Sequence, residues 1–392
     1  MKLSRFNYSD FYIVLWLLYY TFEYMKWPSV IQIGILGLLY AWSLYCAFLI
    51  HVRIKATGLI KGFDFLIVIL TIYYGFYYLQ HGTTINVGGV IYKVSNFIFQ
   101  IFSSLLSFYA FYWFSLKGNL SLTTIRKWSV FFFGIAIWDF FFQQQKGLEM
   151  LLGNNNPDID MEVVNNGSYK ILALVPIIGL FNKKLFQLAG LMVCMYFILI
   201  SFKRGPLLIL TICILYYYIK LSRKNKIWTV IAFMITVYIG LFWIQGLMFE
   251  SDMFMFKLQK TLDGNSSGRD IISEKLFSHI FMNMTPKSLI FGYGANATLH
   301  ISGRLAHSDW IEILVNMGII GIAIYSNFCY QMVKFWRRVR NNMDVCLPVG
   351  LFCIVFLMKS VFSMAYDQIP FYEMLVFAFF AGKTDVSRVK NL

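Results

Sequence analysis

The amino-acid sequence predicts an all-α polytopic integral membrane protein. Apolar residues make up 59% of the chain and aromatic residues 19%, whereas charged residues make up only 14%. A water-soluble domain carries about 25% charged residues, so this composition does not suit a soluble globule. The apolar residues also fall into runs that are long enough to cross a bilayer as helices, which takes roughly 20 residues each. We therefore expect a bundle of membrane-spanning helices.

The runs predict about twelve spans in a single membrane domain, residues 1–392. The basic residues Lys2 and Arg5 lead straight into the first run without a small-residue cleavage site, so we expect this span to be retained. The sixth and the twelfth runs are short. The runs occupy residues 8–25, 28–52, 63–80, 90–116, 128–145, 168–181, 185–202, 206–221, 227–248, 307–333, 347–366 and 371–382.

Basic residues are concentrated in every second connection between the runs. If the N-terminus is cytoplasmic, the cytoplasmic connections hold most of the 34 lysines and arginines but few of the 19 acidic residues. This is the positive-inside pattern, and it predicts an even number of spans with both termini in the cytoplasm. The net charge of +15 is therefore spread over short loops. A nucleic-acid-binding protein needs a clustered basic face, so we expect no nucleic-acid partner.

The six cysteines lie in apolar runs or at their inner ends, without a CxxC pair or the spacing of metal ligands. We read them as small apolar residues, and we expect neither a disulfide framework nor a metal site.

The segment 249–306 separates the ninth run from the tenth, and the topology places it outside the membrane as one large loop. It is longer than a structural connection requires. Ser266 or Ser267 can cap a helix whose apolar residues recur at helical spacing, so the segment predicts an amphipathic helix on the membrane surface. Residues 283–286 end this helix.

A glycine-permitted turn is predicted at Phe291-Gly292-Tyr293-Gly294. The tenth span then starts near His307. Gly318 and Gly321 within this span permit a close contact with another helix.

Four short motifs in the second half of the chain occur together in a known family. They are Ser-Phe-Lys-Arg-Gly at 201–205, Ser-Gly-Arg-Asp at 267–270, Phe-Gly-Tyr-Gly at 291–294 and a helix that opens with His-Ser-Asp-Trp at 307–310. With the many spans and the one large outer loop, this ordered set resembles the O-antigen polymerase and ligase family. The resemblance covers roughly residues 186–330. It departs from the family at Lys203, because the arginine of the short outer turn is commonly preceded by serine.

The resemblance implies a fold similar to the GT-C class of membrane glycosyltransferases. It also implies an enzyme of the bacterial inner membrane that acts at the periplasmic face on oligosaccharides linked to undecaprenyl diphosphate, without a metal or another cofactor. The partners implied are this lipid-linked oligosaccharide, membrane lipid, a chain-length regulator and a flippase.

Three residues of the shared motifs suit the chemistry that the resemblance implies. A departing diphosphate must be bound and its charge stabilised, and the planar fork of arginine binds phosphate oxygens in pairs. This predicts diphosphate binding by Arg204 and Arg269. A sugar hydroxyl must lose its proton as it attacks, and histidine is the side chain best matched to this task near neutral pH, which predicts His307 as the catalytic base.

Further residues are weaker candidates, and each has a structural alternative. Lys203 can bind phosphate in place of Arg204, or the two can form an interfacial pair at a helix end. Arg304 suits either the diphosphate or a lipid headgroup.

Acidic residues near these motifs, and charges within the spans, are also candidates. Asp270 and Asp309 suit sugar binding, or the orientation of Arg269 and His307. Asp139 lies within a span, where it can bind sugar hydroxyls or make a buried contact between helices. Lys359 and Glu373, on the last two spans, suit a pair with each other.

Three functions are open at this point. The first is a polysaccharide polymerase that transfers the growing glycan onto a hydroxyl of another lipid-linked repeat unit, with inversion at the anomeric carbon. The second is an O-antigen ligase, which transfers finished polymer to a lipid A core. The third, from another class, is a lipid-linked oligosaccharide flippase, which would line a midplane cavity with charges and would lack a long structured outer loop.

Overall fold

The predicted all-α fold is confirmed. The computed structural model describes residues 7–25, 28–87, 90–153, 167–201, 203–222, 226–250, 259, 269–283, 285–366 and 369–389. Within these ranges the chain is almost entirely helical, and its sheet is one two-stranded hairpin.

The helices follow the predicted apolar runs closely. In the first half they are α1 (Tyr8–Met25), α2 (Ser29–Arg53), α3 (Gly58–His81), α4 (Val94–Leu116), α5 (Leu122–Gly153), α6 (Gly167–Leu172), α7 (Val175–Ile178) and α8 (Lys184–Ile200), with strands β1 (Thr84–Val87) and β2 (Val90–Lys93) before α4. In the second half they are α9 (Arg204–Ser222), α10 (Lys226–Glu250), α11 (Arg269–Asn283), α12 (Pro286–Phe291), α13 (Ala297–Ser302), α14 (Asp309–Arg338), α15 (Met343–Phe362) and α16 (Phe371–Val389).

Seven of the described helices are long and apolar enough to cross a membrane, namely α2, α3, α4, α9, α10, α14 and α15. Two shorter apolar stretches accompany them, Gly167–Ile178 and Lys184–Ile200. These helices indicate a multi-pass membrane protein. The number of twelve spans and the cytoplasmic position of both termini stay predictions.

The structure differs from the predicted boundaries at several runs. The prediction of helix at residues 90–93 is wrong, because Val90–Lys93 pairs antiparallel with Thr84–Val87 as a hairpin; valine, isoleucine and tyrosine favour extended backbone. The sixth run forms two short helices, α6 and α7, with Pro176 near the start of the second. The helix of the eleventh run, α15, ends at Phe362, four residues before the predicted end.

The last helix is central, although its run is the shortest that the sequence predicts. Every residue from 371 to 382 is buried, and α16 packs against α4, α15 and α7. The predicted end at Gly382 is wrong, since α16 continues to Val389. A Cβ atom on Gly382 would lie 2.4 Å from the carbonyl oxygen of Tyr112. This glycine therefore allows close packing of α16 on α4 instead of ending the helix.

The predicted amphipathic helix corresponds to α11, whereas its proposed caps Ser266 and Ser267 lie outside the described residues. One face of α11, with Ile272, Leu276 and Ile280, is buried in a small apolar cluster with residues of α13 and α14. The helix is therefore confirmed and packs on the protein itself, and its position at a membrane surface stays a prediction.

Helix α14 is broken at Gly318, which has a φ of 64° and a ψ of −156°. The turn after α12 fills the break. The backbone N–H of Tyr293 donates to the carbonyl of Val315 at 2.8 Å, and that of Gly294 donates to the carbonyl of Asn316 at 3.0 Å. Gly318 therefore allows a close crossing with the backbone at the end of α12 and with the turn that follows it. Broken backbone at membrane depth is tolerated where protein covers it, and the turn provides this cover.

We expect Gly318→Ala to destabilise the protein by about 2–4 kcal/mol, because a side chain strains the positive φ and overpacks the crossing. A Cβ atom there would lie 2.6 Å from the backbones of Ile290 and Gly292. The matched control is Gly34→Ala in α2, where a Cβ atom would meet nothing within 4 Å. Thermal unfolding of the purified proteins in detergent measures the difference, and equal melting temperatures for the two variants would contradict the expectation.

Candidate functional site

Within the described residues, α3 and α15 end at one end of the bundle and α9 and α14 begin there, and we call this the His307 end. We call residues 362–366, the last residue of α15 and the four that follow it, the α15 turn. Three of the segments that carry sequence-predicted site residues lie at this turn.

The Lys203–Arg204 segment lies next to the α15 turn at Gly205. Arg204 is exposed and is the first residue of α9. A Cβ atom on Gly205 would lie 2.8 Å from the hydroxyl of Tyr169 and 3.9 Å from the Cβ atom of Phe362. The absence of a side chain at Gly205 therefore leaves room for the Tyr169 hydroxyl, and the start of α9 lies next to the end of α15. The half-buried Lys203 is fixed by its backbone N–H, which donates to Ser201 Oγ at 3.3 Å.

Arg269 contacts the same turn from the large loop. It is exposed, and it is the first residue of α11. Its Nη1 donates to the carbonyl oxygen of Phe362 at 3.0 Å. A carbonyl at the end of a helix lacks a partner within the helix, so it is a natural acceptor for a cation. Asp270, by contrast, accepts from the backbone N–H of Ile271 at 2.9 Å, and this bond is local to the first turn of α11.

His307 reaches the turn through its neighbour Asp309. The exposed His307 has a φ of 54°, in the left-handed region, and Ser308 then caps α14 in extended conformation. Asp309 is fully buried. Its Oδ1 accepts from the backbone N–H of Ala365 at 2.8 Å, and its Oδ2 accepts from the N–H of Tyr366 at 3.3 Å and from the Tyr325 hydroxyl. Left-handed backbone at a residue other than glycine is strained, and such strain is concentrated at functional sites.

A second buried carboxylate fixes the loop before His307. Glu312 is fully buried, and its Oε2 accepts from the N–H of Ala306 at 2.9 Å. Its Oε1 accepts from the Thr298 hydroxyl and from Asn316 Nδ2. Glu312 therefore holds the residue before His307, and Asp309 holds the start of α14 after it.

Two other predicted site residues lie elsewhere. Asp139, on α5, is buried and pairs with Lys170 Nζ at 2.8 Å, which favours the structural alternative for this residue. Arg304 is exposed, and its backbone N–H donates to Ser302 Oγ at 3.4 Å. Among the described residues, no contact joins Arg304 to the α15 turn.

Tyr169 and Lys359 were not predicted as part of this site. Lys359 lies one turn before the end of α15, is buried, and places its Nζ 5.6 Å from the centre of the Tyr169 ring. It also interacts electrostatically with the buried Glu373, as the sequence suggested. A lysine within an apolar run indicates a paired or functional side chain. Tyr169 gives no such signal, because the chain has 25 tyrosines.

No group of three or more histidine, cysteine or acidic side chains suited to a metal ion occurs in the described part of the chain. A reaction without a metal stays a prediction.

The fold and the site define this chain as a multi-pass, helical membrane protein with a basic site at one end of its bundle. A family model described as O-antigen ligase matches residues 189–326. Arg204, Arg269 and His307 all lie within the match. The resemblance to the O-antigen polymerase and ligase family is thus confirmed over this part of the chain, and the match indicates ligase-type or polymerase-type activity in broad terms. No curated protein matches the chain at a significant level.

We expect Asp309→Ala to destabilise the protein by about 3 kcal/mol or more, because two backbone donors and one hydroxyl lose a buried acceptor. Asp344→Ala is the matched control, since Asp344 is exposed in the first turn of α15. Thermal unfolding in detergent compares them. If Asp309→Ala melts at the temperature of the control, the α15 turn does not depend on this carboxylate.

Proposed function

We propose that the protein is a polysaccharide polymerase of the bacterial inner membrane. It transfers a glycan from undecaprenyl diphosphate to a hydroxyl group of another lipid-linked repeat unit, at the periplasmic face. One observation carries the proposal: Arg269 and the segment of His307 contact the α15 turn and the segment of Arg204 lies next to it, although the three are remote in sequence. A reaction that needs both a diphosphate-binding pair and a base requires these groups near one another.

The two arginines bind the diphosphate of the donor. A guanidinium group has five N–H donors, and the bond from Arg269 to the Phe362 carbonyl uses one of them. That bond fixes the side chain, so binding phosphate through the other donors costs less conformational entropy. Arg204 is exposed at the start of α9, beside the same turn. As the glycosidic bond breaks, both cations stabilise the negative charge that develops on the leaving lipid diphosphate.

His307 is the catalytic base. Its ring takes the proton from the acceptor hydroxyl as that oxygen attacks the anomeric carbon. A new C–O bond to the acceptor forms, the C–O bond to the diphosphate breaks, and the anomeric configuration inverts. Asp309 and Glu312 hold the backbone on either side of His307, which keeps the base at a fixed place relative to Arg269.

The remaining candidates have secondary roles. Lys203 lies next to Arg204 and adds positive charge to the start of α9. Asp309 acts as an orienting residue. We assign segment 249–306 as the large periplasmic loop that delivers Arg269, with a chain-length regulator and a flippase as partners of the whole enzyme.

An O-antigen ligase is the second candidate, and the description of the matching family model favours it. Both reactions use the same leaving group and the same residue types, but they differ in the acceptor. In a deletion strain, loss of a polymerase leaves glycolipid with a single repeat unit, whereas loss of a ligase leaves bare core. A flippase makes no glycosidic bond, so new bonds formed by purified protein from lipid-linked units exclude it.

We expect His307→Ala to lower the rate of polymer formation at least about 100-fold, the usual contribution of a general base. Polymer length in the complemented deletion strain and turnover by the purified enzyme measure this. His279→Ala is the control, because it removes another histidine of the second half of the chain. His279 lies on α11, and its ring is 5.1 Å from that of Tyr293. Normal polymer in the His307→Ala strain would remove His307 from the mechanism.

We expect Arg204→Lys and Arg269→Lys each to lower turnover about 10- to 100-fold, since lysine keeps the charge but loses the paired geometry of the guanidinium group. Arg304→Lys is the matched control, an exposed arginine of the same predicted loop that has no described contact with the α15 turn. The assay with purified protein and lipid-linked repeat units measures all three. Equal turnover of the three variants would contradict the assignment.

A further inference from the structure

Two exposed histidines face each other at the His307 end, outside the site described above. His81 is the last residue of α3, and His300 lies on α13. Their ring centres are 5.5 Å apart and their planes are inclined by 25°. Both residues are exposed, so this pair is open to a ligand from solvent.

Tyr77 contacts both histidine rings. Its hydroxyl lies 3.0 Å from His300 Nε2, and its ring centre lies 4.6 Å from that of His81. Exposed side chains normally sample several rotamers and lose that freedom when they bind a ligand. A ring pair that is already held in place loses less of this rotamer freedom on binding.

Asn296 adds a polar group on the same side of α13. The backbone N–H of His300 donates to the carbonyl of Asn296 at 3.3 Å, so the two residues are one helical turn apart on one face. Asn296 is buried, and its Oδ1 accepts from the Tyr74 hydroxyl at 3.4 Å. Its Nδ2 makes no close hydrogen bond among the described residues and interacts only weakly with the Tyr77 hydroxyl. Buried amide donors are normally satisfied, so one without a close acceptor beside an exposed ring pair indicates a place for a hydroxyl-bearing ligand or water.

The charge state of His300 also suits a neutral ligand. Burial and the neighbouring His81 lower the pKa of His300 below its usual value. The ring is therefore neutral near neutral pH, and Tyr77 engages its Nε2, so Nδ1 is the nitrogen left for a ligand. A sugar presents hydroxyl groups, which both donate and accept, at the edge of its ring. It also presents C–H groups on its face.

The segments of His300 and His307 are joined through Glu312. Thr298, two residues before His300, and Ala306, next to His307, are both bonded to the carboxylate of Glu312. A ligand on the histidine pair therefore lies on the same side of the bundle as the proposed base.

We propose that His81 and His300 form a carbohydrate-binding subsite that holds a sugar of the acceptor oligosaccharide, an inference that rests on the proposed function. A pyranose ring packs its C–H face against the flat imidazoles, and its hydroxyl groups bond the ring nitrogens that Tyr77 does not engage. Tyr77 keeps the rings in place. The subsite orients the acceptor chain so that its terminal hydroxyl reaches His307.

Binding of free glycan to the purified full-length protein in nanodiscs tests the subsite. The probes are the repeat-unit oligosaccharide and the lipid A core oligosaccharide, each released from its lipid by mild acid and titrated by saturation-transfer NMR. The first is the acceptor of a polymerase and the second that of a ligase, so the probe that binds identifies the source of the sugar. Inorganic pyrophosphate, titrated in parallel, reports on the arginine site.

We expect His81→Ala and His300→Ala each to weaken binding of the preferred oligosaccharide about five- to tenfold, as loss of one ring contact implies. His81→Tyr, which keeps a flat ring, should bind within about twofold of the original protein. His279→Ala is the matched control and should bind normally, and binding of pyrophosphate should not change in any of these variants. His81 ends its helix at the surface, so its replacement leaves the fold intact, which the melting temperature verifies.

Unchanged affinity in both alanine variants, or the absence of saturable binding by the original protein to either glycan, would overturn the subsite. Such a result is distinct from failure of the proposed function. That function fails if purified protein forms no glycosidic bond, or if His307→Ala forms polymer normally, whatever the histidine pair binds.

Discussion

The buried carboxylate of Asp309 connects two backbones on which the rest of the His307 end depends. The chain leaves α15 at Phe362 and must return through α16, so the N–H groups of the α15 turn point into protein rather than water. Asp309 accepts two of them. It is also the first residue of α14, where a negative charge interacts favourably with the helix dipole. One side chain thus stabilises the start of one helix and the connection that follows another.

The same end of the bundle contains backbone that is not helical, and two pieces of it among the described residues have a specific partner. The break of α14 is paired with the turn after α12, where Gly292 and Gly318 allow the two backbones to touch. The loop before His307 is bonded to Glu312. Unpaired peptide groups at this depth are costly in a bilayer. Short connections satisfied by buried carboxylates and by each other therefore provide irregular backbone for a site without exposing it to lipid.

The sequence predicted most of the helices, because a spanning run of apolar residues has few alternatives to a helix. It also predicted α11 and the turn at residues 291–294, whose glycines have no other evident purpose. It did not predict the break at Gly318, since a glycine in an apolar helix equally suits a contact between helices. The end of α15 at Phe362 was missed for a similar reason: the residues that follow are apolar enough to continue the helix, and the carboxylate that binds their N–H groups, Asp309, is distant in sequence.

The candidate site shows the same limit. Arg204, Arg269 and His307 stand out in sequence because each is polar within a motif, yet nothing local indicates that all three depend on residues 362–366. That dependence comes from a carbonyl that binds Arg269, a carboxylate two residues after His307 and the packing of α9 beside α15, all between segments far apart in the chain. The α15 turn has no charged group of its own to mark it in the sequence. A substitution there would shift the arginines and the histidine together, so the precision of this site belongs to the turn as much as to the residues that carry its charge.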